Sequence, residues 1–204
     1  MKYRLVIFDM DGTLTEELID FAAIRAEMGL PVDGGILEHM KRMTGEERAR
    51  AAAILDRHEA EAAERCGIHE GAAEVLERLR EMGVRTALLT RNSRGCAERI
   101  LARHGLTLEH VATREDLPHK PHPDSILNIL RRMRVEPTET LMVGDYVYDL
   151  QAARAAGVDS ALVLSRDGGR LPDYANMATR CVRNLRELLD LLHRGGAPLN
   201  GEKS

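Results

Sequence analysis

The sequence predicts an α/β fold: a parallel sheet between two layers of helices, interrupted early by a small all-helical insert. Three observations carry this. Short apolar runs rich in branched residues recur at Leu5–Phe8, Val84–Thr90, Leu141–Gly144 and Asp159–Leu164. Such runs suit strands buried on both faces. From Val84 onward the runs alternate with stretches of helical spacing, and that alternation implies a parallel sheet covered on both sides. Between Glu16 and Met82 the texture differs: Ala, Glu, Arg and Leu dominate and no strand-like run occurs, a helix-forming composition.

The elements follow in order. Leu5–Phe8 is the first strand, and Asp9–Thr15 is a turn around Gly12. Breaks at Gly29-Leu30-Pro31, Gly34-Gly35, Thr44-Gly45 and Gly67 divide the insert into about four helices. Thr44 with Glu47 three residues on reads as a capping box. The second strand is Val84–Thr90, then a helix over Ser93–His104 and a short strand at His110–Thr113. A helix over Pro123–Arg134 opens with Pro in its first turn, with Asp124 or Ser125 as acidic or capping residue. Next come a strand at Leu141–Gly144, a helix over Tyr146–Ala156 stopped by Gly157, and a strand at Asp159–Leu164. Ser165–Asp173 reads as a loop, Val182 as an isolated apolar position, and Asn184–His193 as a last helix carrying Leu185, Leu188, Leu189 and Leu192. The division is therefore a core of residues 1–15 and 83–194, a helical insert of 16–82, and a disordered tail of 195–204.

Composition narrows the function. At 204 residues, 44% hydrophobic and 30% charged, the chain is long enough to bury a core and polar enough to stay soluble. Two Phe, four Tyr and no Trp leave few platforms for stacking bases, and a net charge of −4 invites neither nucleic acid nor an anionic membrane. No apolar run approaches the ~20 residues of a membrane span. Asp9 and Asp11 interrupt the first apolar stretch, which argues against a signal peptide. Cys66, Cys96 and Cys181 are odd in number and form no CxxC pair; buried or idle thiols in a reducing cytoplasm are expected.

In such sheets ligands sit at the carboxyl ends of the strands. The residues at those ends are Asp9 and Asp11; Thr90, Arg91 and Asn92; Lys120; and Asp145 and Asp149. Four carboxylates against one ammonium cannot stay desolvated without neutralisation. A hard divalent cation resolves the excess, and the all-oxygen donor set points to Mg²⁺ rather than zinc. With a phosphoryl substrate, a carboxylate can attack phosphorus while a second one manages protons. Asp9 and Asp11, two apart in an extended run, can address one substrate. Thr90 and Lys120 are the residue types that stabilise the transferring group.

These residues resemble the haloacid dehalogenase superfamily. Phe8-Asp9-Met10-Asp11-Gly12-Thr13 matches its DxDGT signature, Thr90 its second motif, Lys120-Pro121-His122-Pro123 its KPxP form, and Gly144-Asp145 through Asp149 its GDxxxD form. The resemblance implies a Rossmann-like core with a C1 cap over 16–82. It implies Asp9 as nucleophile and magnesium ligand, and Asp11 as general acid/base giving its backbone carbonyl to the metal. Thr90 and Lys120 would hold the phosphoryl group, and Asp145 and Asp149 would complete the metal site. Arg91 and, in the cap, Lys41 or Arg42 are candidates for an anionic substrate tail. Phe21 is expected in the cap core, and His119 and His122 as exposed loop histidines.

The function expected from this resemblance is a cytoplasmic, magnesium-dependent phosphatase of a small phosphorylated metabolite, monomeric or homodimeric and phosphoglycolate-phosphatase-like. A β-phosphoglucomutase-like phosphomutase shares the motifs. A dehalogenase would not need Asp11, and a phosphonatase would rest on Lys41 alone as its cap lysine. A non-catalytic binding module would be expected to have lost one of the four motifs.

Overall fold

The computed structural model describes residues 2–17, 19–164 and 170–193; the expected tail and residues 165–169 of the expected loop lie outside them. Six parallel strands form one sheet: β1 (Leu5–Phe8), β2 (Arg85–Leu89), β3 (His110–Ala112), β4 (Thr140–Gly144), β5 (Asp159–Val163) and β6 (Arg180–Val182). Their order is β3-β2-β1-β4-β5-β6. The chain winds outward from β1 through β2 to β3, then returns to β4 on the other side. The strand order therefore reverses beside β1, where open α/β sheets place their ligand crevice.

Strand β1 is entirely buried, and its side chains divide between two cores. Val6 and Phe8 enter one hydrophobic cluster, Leu5 and Ile7 the other. This is the period-2 alternation of a strand covered on both faces. The first cluster is completed by helices α4 (Ala72–Glu81), α5 (Arg94–His104) and α8 (Leu185–His193). The second is completed by α6 (Asp124–Met133) and α7 (Val147–Ala156). The three-layer α/β architecture expected from the sequence is thus present.

A third, separate cluster joins Ile24 of α1 (Phe21–Met28), Ile36 of α2 (Ile36–Met40) and Leu55 and Ala62 of α3 (Gly45–Arg65). Helix α4, read from the sequence as part of the same insert, packs elsewhere: Ala72, Val75, Leu76 and Leu79 enter the first sheet cluster. The apolar stripe of α4 is complementary to β2 and α8, a partnership that composition alone does not reveal. The two passes between insert and core run side by side, with the Glu16 N–H donating to Gly67 O at 3.0 Å and the His69 N–H to Leu14 O at 3.0 Å.

Two smaller differences have local causes. Thr44 does sit at the N-cap of α3 but makes no side-chain cap bond, so the capping box is not formed; the residue is exposed, where water satisfies the first-turn N–H groups. The isolated Val182 belongs to strand β6, which pairs with β5 over three residues, too few to show periodicity in sequence.

Candidate active site

The ends of three neighbouring strands, β2, β1 and β4, deliver the acids and Asn92, and the loop after β3 delivers Lys120. The Asp9 N–H donates to Val143 O at 2.8 Å, holding the end of β1 against β4. The turn then folds around the Met10 carbonyl, which accepts from the N–H groups of Thr13, Leu14 and Thr15. Gly12 has φ +80°, and a Cβ there would lie 2.2 Å from Asp145 Oδ2. Glycine is needed both for the left-handed backbone and for this approach. Thr13 Oγ1 donates to Asp145 Oδ1 at 3.1 Å, so the first motif orients a carboxylate of the last. Gly144 plays the same steric role on β4, since a Cβ there would lie 2.3 Å from the Asp149 carboxylate.

Lys120 is 3% exposed and donates to Asp9 Oδ1 and Asp149 Oδ1, each at 2.6 Å. Burial works to lower its ammonium pKa, but Asp149 and Asp9 outweigh it and hold the pKa above the ordinary value. Burial and the neighbouring Asp9 push the Asp149 carboxyl up, against Lys120. Asp149 also accepts from the Tyr146 N–H at 3.1 Å at the start of α7. Asp9, Asp145 and Asp149 each offer an oxygen within 4.8 Å of the others. Asp11 stands outside this trio. Its carboxyl accepts from Asn92 Nδ2 at 2.7 Å, and burial followed by the Asp9 charge pushes it up to about 8. Three clustered carboxylates against one ammonium leave excess negative charge in a desolvated place. The donors are all oxygen, so the trio fits a hard divalent cation.

A cavity of about 330 Å³ opens over this floor, between sheet and insert. Asp9, Asp11, Arg91, Asn92, Lys120 and Asp149 line it from the core. Phe21 and Arg25 of α1 and Leu55 and Glu59 of α3 line it from above, each pair one helical turn apart on one face. Two ties hold the insert down. Arg91 Nη2 meets both oxygens of Glu38 at 2.8 Å, with its guanidinium 4.7 Å over the Tyr148 ring. Glu59, 2% exposed, accepts from Ser93 N–H and Oγ at 3.1 and 2.7 Å and pairs with Arg114.

Asp9, Asp11, Lys120, Asp145 and Asp149 are therefore brought together as expected, and Arg91 lines the cavity beside them. Thr90 is buried next to the site but does not line the cavity; its hydroxyl accepts from the Asn92 N–H at 3.1 Å. Arg42 does not join the site. It is exposed and lies beyond the C-terminal end of α2, whereas the cavity meets the opposite end at Gly35, Ile36 and Leu37. Lys41 is exposed too. Phe21 faces the cavity rather than the insert's core, which Ile24 fills from another face of α1. His119 is buried rather than exposed, with Nδ1 3.2 Å from the Lys120 carbonyl, and burial lowers its pKa. The side chain of His122 is exposed as expected.

Sequence reading left Asn92, Glu59 and Arg25 without roles. Asn92 had a signal, its place two residues after Thr90. Glu59 and Arg25 had none, since a charge on an amphipathic helix is ordinarily a solvated one.

A family profile described as haloacid dehalogenase-like hydrolase matches residues 3–157. The chain belongs to the haloacid dehalogenase-like hydrolase family. Among curated relatives, a haloacid dehalogenase-like hydrolase domain-containing protein of Arabidopsis thaliana is 31% identical, over 84% of this chain and 75% of its own. Phosphoglycolate phosphatase 1 of Pseudomonas aeruginosa is 30% identical, over 91% of this chain and 78% of its own. A hydrolase from Pseudomonas syringae shares the fold with a TM-score of 0.79 at 23% identity, covering 97% of this chain and all of that one. Among the described residues no helix is long and apolar enough to cross a membrane.

Proposed function

We propose that this haloacid dehalogenase-like hydrolase is a magnesium-dependent phosphatase that cleaves a small phosphomonoester through an aspartyl-phosphate. The observation that carries the reading is the pairing of two differently held carboxyls on one cavity. Asp9 is tied to Lys120 at 2.6 Å, and Asp11 to Asn92 at 2.7 Å. The phosphatase name of a relative at 30% identity supports the same class.

In this reading a carboxylate oxygen of Asp9 attacks phosphorus and the ester P–O bond breaks. The Asp11 carboxyl, pushed up to about 8 and so protonated at neutral pH, gives its proton to the leaving oxygen. Asp11 then takes a proton from water as that water's oxygen attacks phosphorus, which frees Asp9 and releases inorganic phosphate. Lys120, hydrogen-bonded to Asp9 at 2.6 Å, holds that carboxyl aimed, and its charge offsets that of the transferring group. Asn92 orients Asp11, and Thr90, through its hydroxyl on the Asn92 N–H, positions Asn92. Asp9, Asp145 and Asp149 would hold Mg²⁺, which when bound supplies neutralising charge to the phosphoryl oxygens. Residues 16–68 form the cap, which excludes water from the cavity.

A panel of small phosphomonoesters tests this with Mg²⁺, with EDTA and with Asp9→Asn. Phosphate release in Mg²⁺ is expected, lost in EDTA and reduced at least about a thousandfold in Asp9→Asn. Release that persists in either condition refutes the mechanism.

A further inference from the structure

The chain has two Phe, four Tyr and no Trp, and these six rings are unevenly placed. Tyr3 and Phe8 are buried in the sheet core. Phe21, Tyr146 and Tyr148 line the cavity, and Tyr174 packs against Tyr146. Phe21 and Tyr146 are 42% and 40% exposed, one ring from the cap and one from the core at the same cavity. Two exposed rings beside the reacting groups are a surface for a ligand. Tyr146 is also fixed in advance. Its ring meets Tyr148 edge to face at 5.2 Å and 87°, and Tyr174 at 6.0 Å and 72°. Tyr174 is anchored in turn, its hydroxyl donating to the Asp145 carbonyl at 3.2 Å, and Tyr148 lies 4.7 Å under the Arg91 guanidinium. A ring held before the ligand arrives loses little freedom on binding.

Charge on the cavity walls selects against a second anionic group. The carboxyls of Asp9, Asp11, Glu17, Glu59 and Asp149 line the cavity. Its cations are committed: Lys120 to Asp9 and Asp149, and Arg91 to both oxygens of Glu38. The Nη1 atoms of Arg25 and Arg91 that lack a partner are closed to solvent. We propose that the leaving group of the ester carries one uncharged aromatic ring, held by Phe21 and Tyr146 against the apolar wall of Ile36, Leu37 and Leu55. This deepens the phosphatase reading above and rests on it. Aromatic pairs, offset or edge to face, gain more than the burial of their area, and a saturated ring of the same size forgoes that gain. The cavity of about 330 Å³ lies at the small end of ligand sites, which suits a single ring above the phosphoryl group.

The test uses the full-length protein with Mg²⁺. Turnover is compared for benzyl phosphate, cyclohexylmethyl phosphate and phosphoglycolate. Binding is measured by calorimetry for 2-phenylethylphosphonate and 2-cyclohexylethylphosphonate, neither of which can be hydrolysed. The aromatic member of each pair is expected to lead at least about fivefold, in kcat/KM and in affinity, and phosphoglycolate to trail benzyl phosphate. In Phe21→Leu, and separately in Tyr146→Leu, the aromatic lead falls at least about threefold, while Phe21→Tyr and Tyr146→Phe keep it. Val32→Ser, on an exposed cap residue outside the cavity, leaves it unchanged. In the wild type, nuclear Overhauser contacts are expected between the ring protons of bound 2-phenylethylphosphonate and the Phe21 and Tyr146 rings. An aromatic lead below about twofold, equal losses on both rings in the leucine variants, absence of those contacts, or a preference for phosphoglycolate overturns the proposal. Discriminating binding without hydrolysis of any ester refutes the phosphatase reading and leaves the ring site standing. Hydrolysis without discrimination refutes the ring site alone.

Discussion

Replacing Lys120 by methionine removes the one ammonium that lies between two buried carboxylates. Its nitrogen is 2.6 Å from both Asp9 and Asp149, and the side chain is 3% exposed, so neither solvent nor a neighbour can substitute. Breaking a buried pair by deleting one partner costs about 3–5 kcal/mol, because the remaining charge stays desolvated. Two carboxylates lose their partner here, which places Lys120→Met in the upper half of that range. For a chain of about 200 residues each kcal/mol moves Tm by roughly 2–4 °C, so a fall of about 8–20 °C is expected in EDTA at pH 8. Acidification should shrink the deficit. Asp149, whose carboxyl burial pushes up to about 7, no longer needs the ammonium once it takes up a proton, so the two proteins should converge as pH falls below 7. Added Mg²⁺ should also restore part of the loss, since a cation at Asp9, Asp145 and Asp149 offsets the same charge. The assay is calorimetric or fluorescence-monitored melting across pH, with EDTA and with Mg²⁺. A Lys120→Met protein melting within 2 °C of wild type at pH 8 in EDTA, or a deficit indifferent to pH, would refute this account of the site's electrostatics.

Other outcomes follow from single contacts. The Asp11 carboxyl is held up to about 8 against an ordinary 3.8, so metal-free wild type should lose stability as pH rises from about 4 to 8; Asp11→Asn, measured by melting in EDTA, should flatten that decline and abolish turnover. Gly12→Ala forces a side chain 2.2 Å from Asp145 Oδ2 at φ +80°, so Mg²⁺ affinity by calorimetry should fall at least tenfold and the fold should lose about 1–3 kcal/mol; unchanged metal affinity would contradict the packing of that turn. Glu38→Gln keeps the shape of its side chain but removes its charge from Arg91, and proteolysis of the cap should quicken severalfold without metal or ligand; equal rates would show that this tie does not hold the cap. Burial pushes all three thiols up, but Cys66 and Cys96 are buried while Cys181 is partly exposed, so a thiol reagent should modify Cys181 ahead of the others in the native protein, as mass spectrometry would show.

The layers of the core and the floor of the site are legible along the chain. A strand buried on both faces must be apolar at every position, and Leu5–Phe8 announces itself in that way. The acids at the strand ends are visible because they break those runs, and their charge excess can be counted without coordinates. What lies above that floor depends on contacts between elements far apart in sequence. The stripe on Ala72–Glu81 reads the same whether it faces a cap or a sheet, and only the complementary surface of β2 and α8 places it with the core. Arg25, Phe21 and Glu59 sit on helices whose sequence pattern tells which face is apolar, not which neighbour it meets. Lys41 and Arg42 read as candidate anion ligands because they stand at a break between helices, yet the docking of α2 turns the other end of that helix toward the cavity. The burial of His119 has the same origin: the loop after β3 folds inward to carry Lys120 to Asp9, and the residue before it is drawn in with it. Spacing along a chain states the chemistry a strand end can offer. The occupants of a cavity closed by a separate layer depend on how the two bodies dock, and that is settled by contacts far apart in sequence.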